Sequence, residues 1–226
     1  TILVAAEELG EERLDEPVTV SKEATEYSYI NECSNAGFEA GEIVTVRDLF
    51  YGTILPSGGE AAFALASYTS GTVEEFVSQM NQKAEELGLT NTHFENCTGL
   101  HNDNHYSTCR DIAVLMSECL KSDTFREIVT REVYTTEATA SHPGGITLYD
   151  TMLHRFTSYE MSTTLENGAV IEGGKTGFTD EAGQCLVSFA EYGGEEYILV
   201  TAEAMTDSGS AVDSIADAST VYGRLQ

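Results

Sequence analysis

Three times in the first 120 residues a threonine is followed, three positions on, by an acidic residue and then by apolar residues at helical spacing. The pairs are Thr45 with Asp48, Thr72 with Glu75 and Thr108 with Asp111. Such a pair can satisfy the free amides of a first helical turn from both directions, so each predicts a capping box and a helix start. After Thr45, residues Val46, Leu49, Phe50 and Ile54 line one side as far as Leu55-Pro56. After Thr72, residues Val73, Phe76, Val77, Met80, Ala84 and Leu87 keep the i, i+3, i+4, i+7 spacing until Gly88 stops the run. After Thr108, residues Ile112, Leu115, Met116 and Cys119 turn inward. Residues 1–9 read as a helix end closed by Gly10, the small residues of 60–66 as a tightly buried helix, and 125–129 as a short one.

In the last third the pattern changes. Segments 169–172, 184–190 and 197–203 read as extended, the last two joined by a Gly193-Gly194 turn, and a final helix is expected from about Ser210 to Leu225. A short strand is expected at 18–21, an irregular loop at 31–41 and a long polar loop at 91–107. Residues 130–148 follow no consistent period. Helices first and strands later, with no internal repeat, predict one layered α+β domain over residues 1–226.

Charge narrows the partners. Against 38 acidic residues stand 11 basic ones, a formal charge of −27 that repels nucleic acid and anionic lipid surfaces. The five cysteines, Cys33, Cys97, Cys109, Cys119 and Cys185, form no C-x-x-C pair and no zinc spacing, so each is expected to act as a small buried hydrophobe. No metal or other cofactor is implied. The chain opens at Thr1 in the middle of an apolar helical pattern, which reads as a trimmed start.

Two places could carry chemistry. Gly173-Gly174-Lys175-Thr176-Gly177-Phe178-Thr179 sets a cation and a hydroxyl beside glycines, on or next to a strand edge where a ligand could approach the backbone. The same residues also fit the entry to a β-hairpin with an exposed lysine. Ser57 lies in the break between two helices and could shuttle a proton beside a lysine, or simply cap the helix near Glu60. Local features leave both pairs of readings open. His93, His101 and His105 share one loop without a metal-binding helix and read as hydrogen-bonded loop residues.

The ordered ensemble goes further. Residues 46–62, 80–88 and 91–94, Gly99-Leu100, His105-Tyr106-Ser107-Thr108, Gly174-Lys175-Thr176-Gly177-Phe178-Thr179 and Ala182-Gly183 together resemble the serine-type D-alanyl-D-alanine carboxypeptidases. These are low-molecular-mass penicillin-binding proteins related to serine β-lactamases, and the resemblance implies an α+β fold in which helices flank an antiparallel sheet. The resemblance implies three elements, S-x-x-K, S-x-N and K-T-G. Lys175 and Thr176 match the third, Lys175 supporting proton transfer and Thr176 binding the substrate carboxylate; Gly177 follows them, and the Phe178 N–H would form half of an oxyanion hole. Ser57 matches the serine of the second element, passing a proton to the leaving amine. Gly59 stands where that element usually has asparagine, and losing one such donor would cost on the order of 10²-fold in rate.

The first element is expected just before Thr1, on a separate segment or supplied by a neighbouring copy. Two N-terminal strands are likewise expected to be absent from this sequence, one of which would pair with the strand at 197–203 and whose loss would expose an edge prone to self-association. The implied activity is removal of the terminal D-alanine from peptidoglycan stem pentapeptides through an acyl-serine, with binding of β-lactams, in a secreted or surface-associated bacterial protein. The free thiols fit a reducing habitat. A noncatalytic wall-peptide-binding module and a serine β-lactamase are the alternatives.

Overall fold

A computed structural model describes residues 1–204 and 212–226. The helices are α1 (Ile2–Leu9), α2 (Lys22–Ile30), α3 (Val46–Ile54), α4 (Gly59–Ser70), α5 (Val73–Glu86), α6 (Cys109–Cys119), α7 (Asp123–Val129), α8 (Leu153–Ser158) and α9 (Asp213–Tyr222). Two small antiparallel pairs, β1 (Pro17–Thr19) with β2 (Ile43–Thr45) and β3 (Val133–Thr135) with β4 (Thr147–Tyr149), brace the helices. The main antiparallel sheet has the order β5 (Val170–Thr179), β6 (Gly183–Tyr192), β7 (Glu195–Ala204).

All three expected helices after threonine are present, yet only one capping box closes. The Thr45 hydroxyl accepts from the Asp48 amide while the Asp48 carboxylate accepts from the Thr45 N–H. At Thr72 and Thr108 the threonine half alone is made. Asp111 instead turns its carboxylate to the Asn91 N–H and the Thr92 hydroxyl, pinning the long loop to α6. The final helix is shorter than expected, and Ser210 and Ala211 lie outside the described residues.

The motif at Lys175 lies within an edge strand, beyond the segment 169–172 that reads as extended. β5 is one ten-residue strand running through it, with a single register shift between Ile171 and Gly173. Glycine is required at 174 by close approach, because a Cβ there would come within 2.4 Å of the Val187 carbonyl oxygen and 2.8 Å of the Met152 sulfur. β5 is the edge strand on its side and β7 on the other.

Side chains along β6 alternate between two apolar clusters, as a pleated strand demands. Phe189 and Val187 join the large cluster built from α1, α3, α4 and α5, including the fully buried Leu49, Phe50, Leu65 and Phe76. Leu186 and Ala190 face the smaller one with Ile215, Ala218 and Tyr222 of α9. Tyr222 Oη donates to the buried Ser188 carbonyl at 2.8 Å, so this polar tip is satisfied on the far face of the sheet. Each fully buried large apolar side chain stabilises the fold by about 1.5–3 kcal/mol. Lys175 pairs with Val187, which sets the lysine against the helical side. Of the five cysteines only Cys97 and Cys119 are buried; Cys33 and Cys185 are half-buried and Cys109 is exposed, which corrects the expectation of five core thiols. Burial pushes the Cys97 thiol up to about 11 and the Cys119 thiol up to about 12.

Candidate active site

The turn between α3 and α4 carries Ser57 in a left-handed conformation, φ 64°, a region a serine enters at a cost of about 1–2 kcal/mol. The surrounding backbone holds it there: the Gly58 N–H donates to the Gly52 carbonyl and the Gly59 N–H to the Ser34 carbonyl, at 2.9 and 2.8 Å. Strain over-determined in this way is characteristic of functional positions.

Lys175 reaches across from β5. Its Nζ donates to Ser57 Oγ at 2.9 Å and to the Thr176 carbonyl at 2.9 Å. The side chain is half-buried and borders the cleft. Burial lowers its pKa to about 8, against the charge of Asp150, which raises it, while Arg155 adds to the lowering. Asp150 is itself fully buried, and burial lifts its pKa to about 6 despite the Leu153 and Met152 amides and the Lys175 charge. The lysine is therefore charged at neutral pH yet close to the point of releasing its proton.

Ser57, Gly58 and Lys175 line a cavity of about 290 Å³ together with Thr1, Ile2 and Leu3, so the N-terminal end of α1 opens onto it. Lys175 also borders an adjoining cleft of about 600 Å³ lined by Thr176, Gly177, Phe178, His101 and Tyr106. Thr176 is nearly buried, whereas Phe178 presents its ring to solvent, 58% exposed. His105 lies between the two spaces; burial lowers its pKa, and its Nδ1 accepts from the Glu95 N–H at 3.3 Å. His93 bonds Glu95, and His101 faces Asp103 and Glu181. Among the described residues no group of three or more His, Cys, Asp or Glu converges to hold a metal.

The structure thus brings Ser57, Lys175, Thr176, Gly177 and Phe178 to one groove. Gly59 is placed differently. A side chain there would start 2.5 Å from Cys33 Cβ and 2.8 Å from its Sγ, so Cys33 fills the space that an asparagine would enter. Asp150 and Thr151 are not legible in the sequence as site residues. They follow the three-residue strand β4, and nothing in their local pattern announces that the Thr151 hydroxyl lies 2.6 Å from that of Thr176.

A profile of the D-alanyl-D-alanine carboxypeptidase family matches residues 1–206. The D-alanyl-D-alanine carboxypeptidase of Streptomyces sp. strain K15 is 40% identical over 191 residues, which is 82% of this chain and 63% of that protein. DacF of Bacillus subtilis, also a D-alanyl-D-alanine carboxypeptidase, is 32% identical over 206 residues, 91% of this chain and 49% of that one. The chain therefore spans less than two thirds of the length of these relatives. The crystal structure of the Streptomyces K15 DD-transpeptidase superposes with a TM-score of 0.79 at 33% identity, covering 98% of this chain and 84% of that one. A D-alanyl-D-alanine carboxypeptidase from Mycobacterium tuberculosis H37Rv gives 0.79 at 26% identity, covering 98% and 77%. With helices flanking an antiparallel sheet as in these structures, and with the family profile over nearly its whole length, the chain belongs to the D-alanyl-D-alanine carboxypeptidase family.

Proposed function

We propose that this groove is the acyl-transfer site of a serine D-alanyl-D-alanine carboxypeptidase, which removes the terminal D-alanine from peptidoglycan stem pentapeptides. The observation that carries the reading is the 2.9 Å contact between Lys175 Nζ and Ser57 Oγ in a cavity onto which the start of α1 opens. The family resemblance puts the nucleophilic serine and its lysine base at the start of the helix to which α1 corresponds. A serine hydroxyl delivered there gives its proton to that lysine base, attacks the carbonyl carbon of the penultimate residue and forms a C–O bond. The negative charge gathers on the carbonyl oxygen, toward the Phe178 N–H.

Collapse of that intermediate breaks the peptide C–N bond, and the leaving D-alanine amine needs a proton. Because Lys175 donates to Ser57 Oγ, the serine's own proton is free to point at that amine. Transfer from Ser57, replenished from the ammonium whose pKa is about 8, completes the step. Water then cleaves the acyl ester. Thr176 anchors the terminal carboxylate, and Gly177 lets the ligand lie close to the strand. β-Lactams, as strained amides bearing a carboxylate, would acylate the same centre. The substrate places the work outside the cytoplasmic membrane; among the described residues no helix is long and apolar enough to cross one.

One observation favours a second reading. Position 59, closed off by Cys33, has no room for the amide that the family usually offers to substrate, so the groove could bind wall peptides without cleaving them. A fluorescent penicillin applied to the protein expressed from its complete reading frame separates the readings. Stable covalent labelling supports the peptidase, rapid turnover a β-lactamase, and no labelling the noncatalytic module.

A further inference from the structure

Thr151 bonds both to the end of α3, before the Ser57 turn, and to β5. Its N–H donates to the carbonyl of Leu55, the residue that closes α3 two positions before Ser57, at 3.1 Å. Its hydroxyl lies 2.6 Å from that of Thr176. The junction between β4 and α8 that presents it is fixed from inside. The Asp150 N–H donates to the Glu132 carbonyl at 2.8 Å, and Asp150 Oδ1 accepts from the Met152 and Leu153 amides at 2.9 and 2.7 Å. With Asp150 wholly buried beneath it, Thr151 has little freedom to turn away.

The protons give this contact a direction. A hydroxyl has one proton and two acceptor sites. If Thr176 gave its proton to Thr151, it would meet a ligand carboxylate with lone pairs only and repel it. If Thr151 donates, the Thr176 proton is left free for the carboxylate, and that hydrogen bond is charge-assisted. Among the described residues, Thr176 is the partner that the Thr151 hydroxyl meets.

We propose that Thr151 is a positioning residue that donates to Thr176 and so aims the Thr176 proton at the terminal carboxylate of the ligand, selecting ligands that carry one. This rests on Thr176 being the carboxylate anchor of the function proposed above, and it adds the device that makes that anchor a donor. The same residue ties the Ser57 turn to β5 through Leu55, so carboxylate recognition and the Lys175–Ser57 contact share one support.

The test uses NMR titration of acetate, N-acetyl-D-Ala-D-Ala and its C-terminal amide, followed at the Thr176 γ-methyl group. Thr151→Val keeps the shape and removes the hydroxyl; Thr151→Ser restores it. Affinity for acetate and for the acid peptide should fall about tenfold in Thr151→Val, the loss expected for about one hydrogen bond to a charge, and return in Thr151→Ser. Affinity for the peptide amide should not change. Unchanged carboxylate binding in Thr151→Val overturns the proposal, as does an equal loss for acid and amide, which would mark a merely structural role. Should acetate bind in a Thr151-dependent way while D-Ala-D-Ala does not bind, the positioning role stands and the peptidase reading falls. Should neither bind the unaltered protein, both fall.

Discussion

At the scale of single residues, the site is defined by two costs. Ser57 is held in a left-handed conformation, and the Lys175 ammonium is partly desolvated by burial. The lysine's cost has a measurable sign. Its folded pKa, about 8, lies below its ordinary value of 10.5, so folding expels a proton between those limits and burial of the cation opposes folding at neutral pH. That penalty disappears as pH rises through the window. Lys175→Met is therefore expected to gain stability over the unaltered protein at pH 7 and to lose the advantage near pH 10.5; urea midpoints at the two pH values check it, and a difference independent of pH contradicts it. Around Lys175, Asp150 raises its pKa and Arg155 lowers it. Asp150→Asn should accordingly move the alkaline limb of penicillin acylation from near pH 8 to lower pH, read from labelling rates across pH 6–9. At Gly59, asparagine would meet Cys33 Cβ at 2.5 Å, an overpacking that costs about 1–3 kcal/mol. Calorimetry of Gly59→Asn should show this loss, and adding Cys33→Gly should recover part of it.

Among elements, legibility follows how local the signal is. Thr45 and Asp48 lie three residues apart and satisfy each other, so α3 can be read from four letters and its apolar stripe. Thr45→Ala should destabilise the protein by about 1–2 kcal/mol in urea unfolding, because it removes a cap and leaves the buried Asp48 short of a partner. α2 is hidden in the sequence because it offers no apolar stripe: only Ala24 and Ser28 are buried, while Tyr29 and Ile30 face solvent. The β3–β4 pair is illegible for another reason. Its strands are three residues long and fixed by contacts made elsewhere, such as Tyr134 Oη donating to Asp48 at 3.0 Å. Gly173 and Gly174 read as room for a ligand to approach, whereas what they let close is protein: β5 passes within contact distance of Val129, Val187 and Met152. Lys175 and Thr176 can be singled out from the sequence because their motif is contiguous. Their partners Ser57 and Thr151 lie 118 and 25 residues away, and only folding joins them.

For the whole molecule, charge outweighs every other surface property. A formal −27 over 226 residues is self-repulsion that a folded chain concentrates and an unfolded chain relieves. The described ion pairs are mostly exposed, such as Lys22–Glu26 and Arg131–Glu127, and pairs of this kind contribute about 0–1 kcal/mol. Added salt should therefore stabilise the protein by screening repulsion more than it weakens attraction. Raising NaCl from about 0.02 M to 0.5 M, which shortens the screening length several-fold, should raise Tm by about 2–4 °C for each kcal/mol gained. A flat or falling Tm would show that the attraction within local ion pairs outweighs the net repulsion. The same field disfavours polyanionic ligands and leaves the groove, with Lys175 at its floor, as a place where a carboxylate finds a positive partner. The central claim is that this groove transfers the acyl group of a D-Ala-D-Ala peptide. Release of D-alanine from a stem pentapeptide tests it most directly, comparing the protein from its complete reading frame with Ser57→Ala and Lys175→Met variants. The account predicts release by the unaltered protein and a fall of about 10²-fold or more in each variant; release unaffected by either substitution, or none from the unaltered protein, would contradict it.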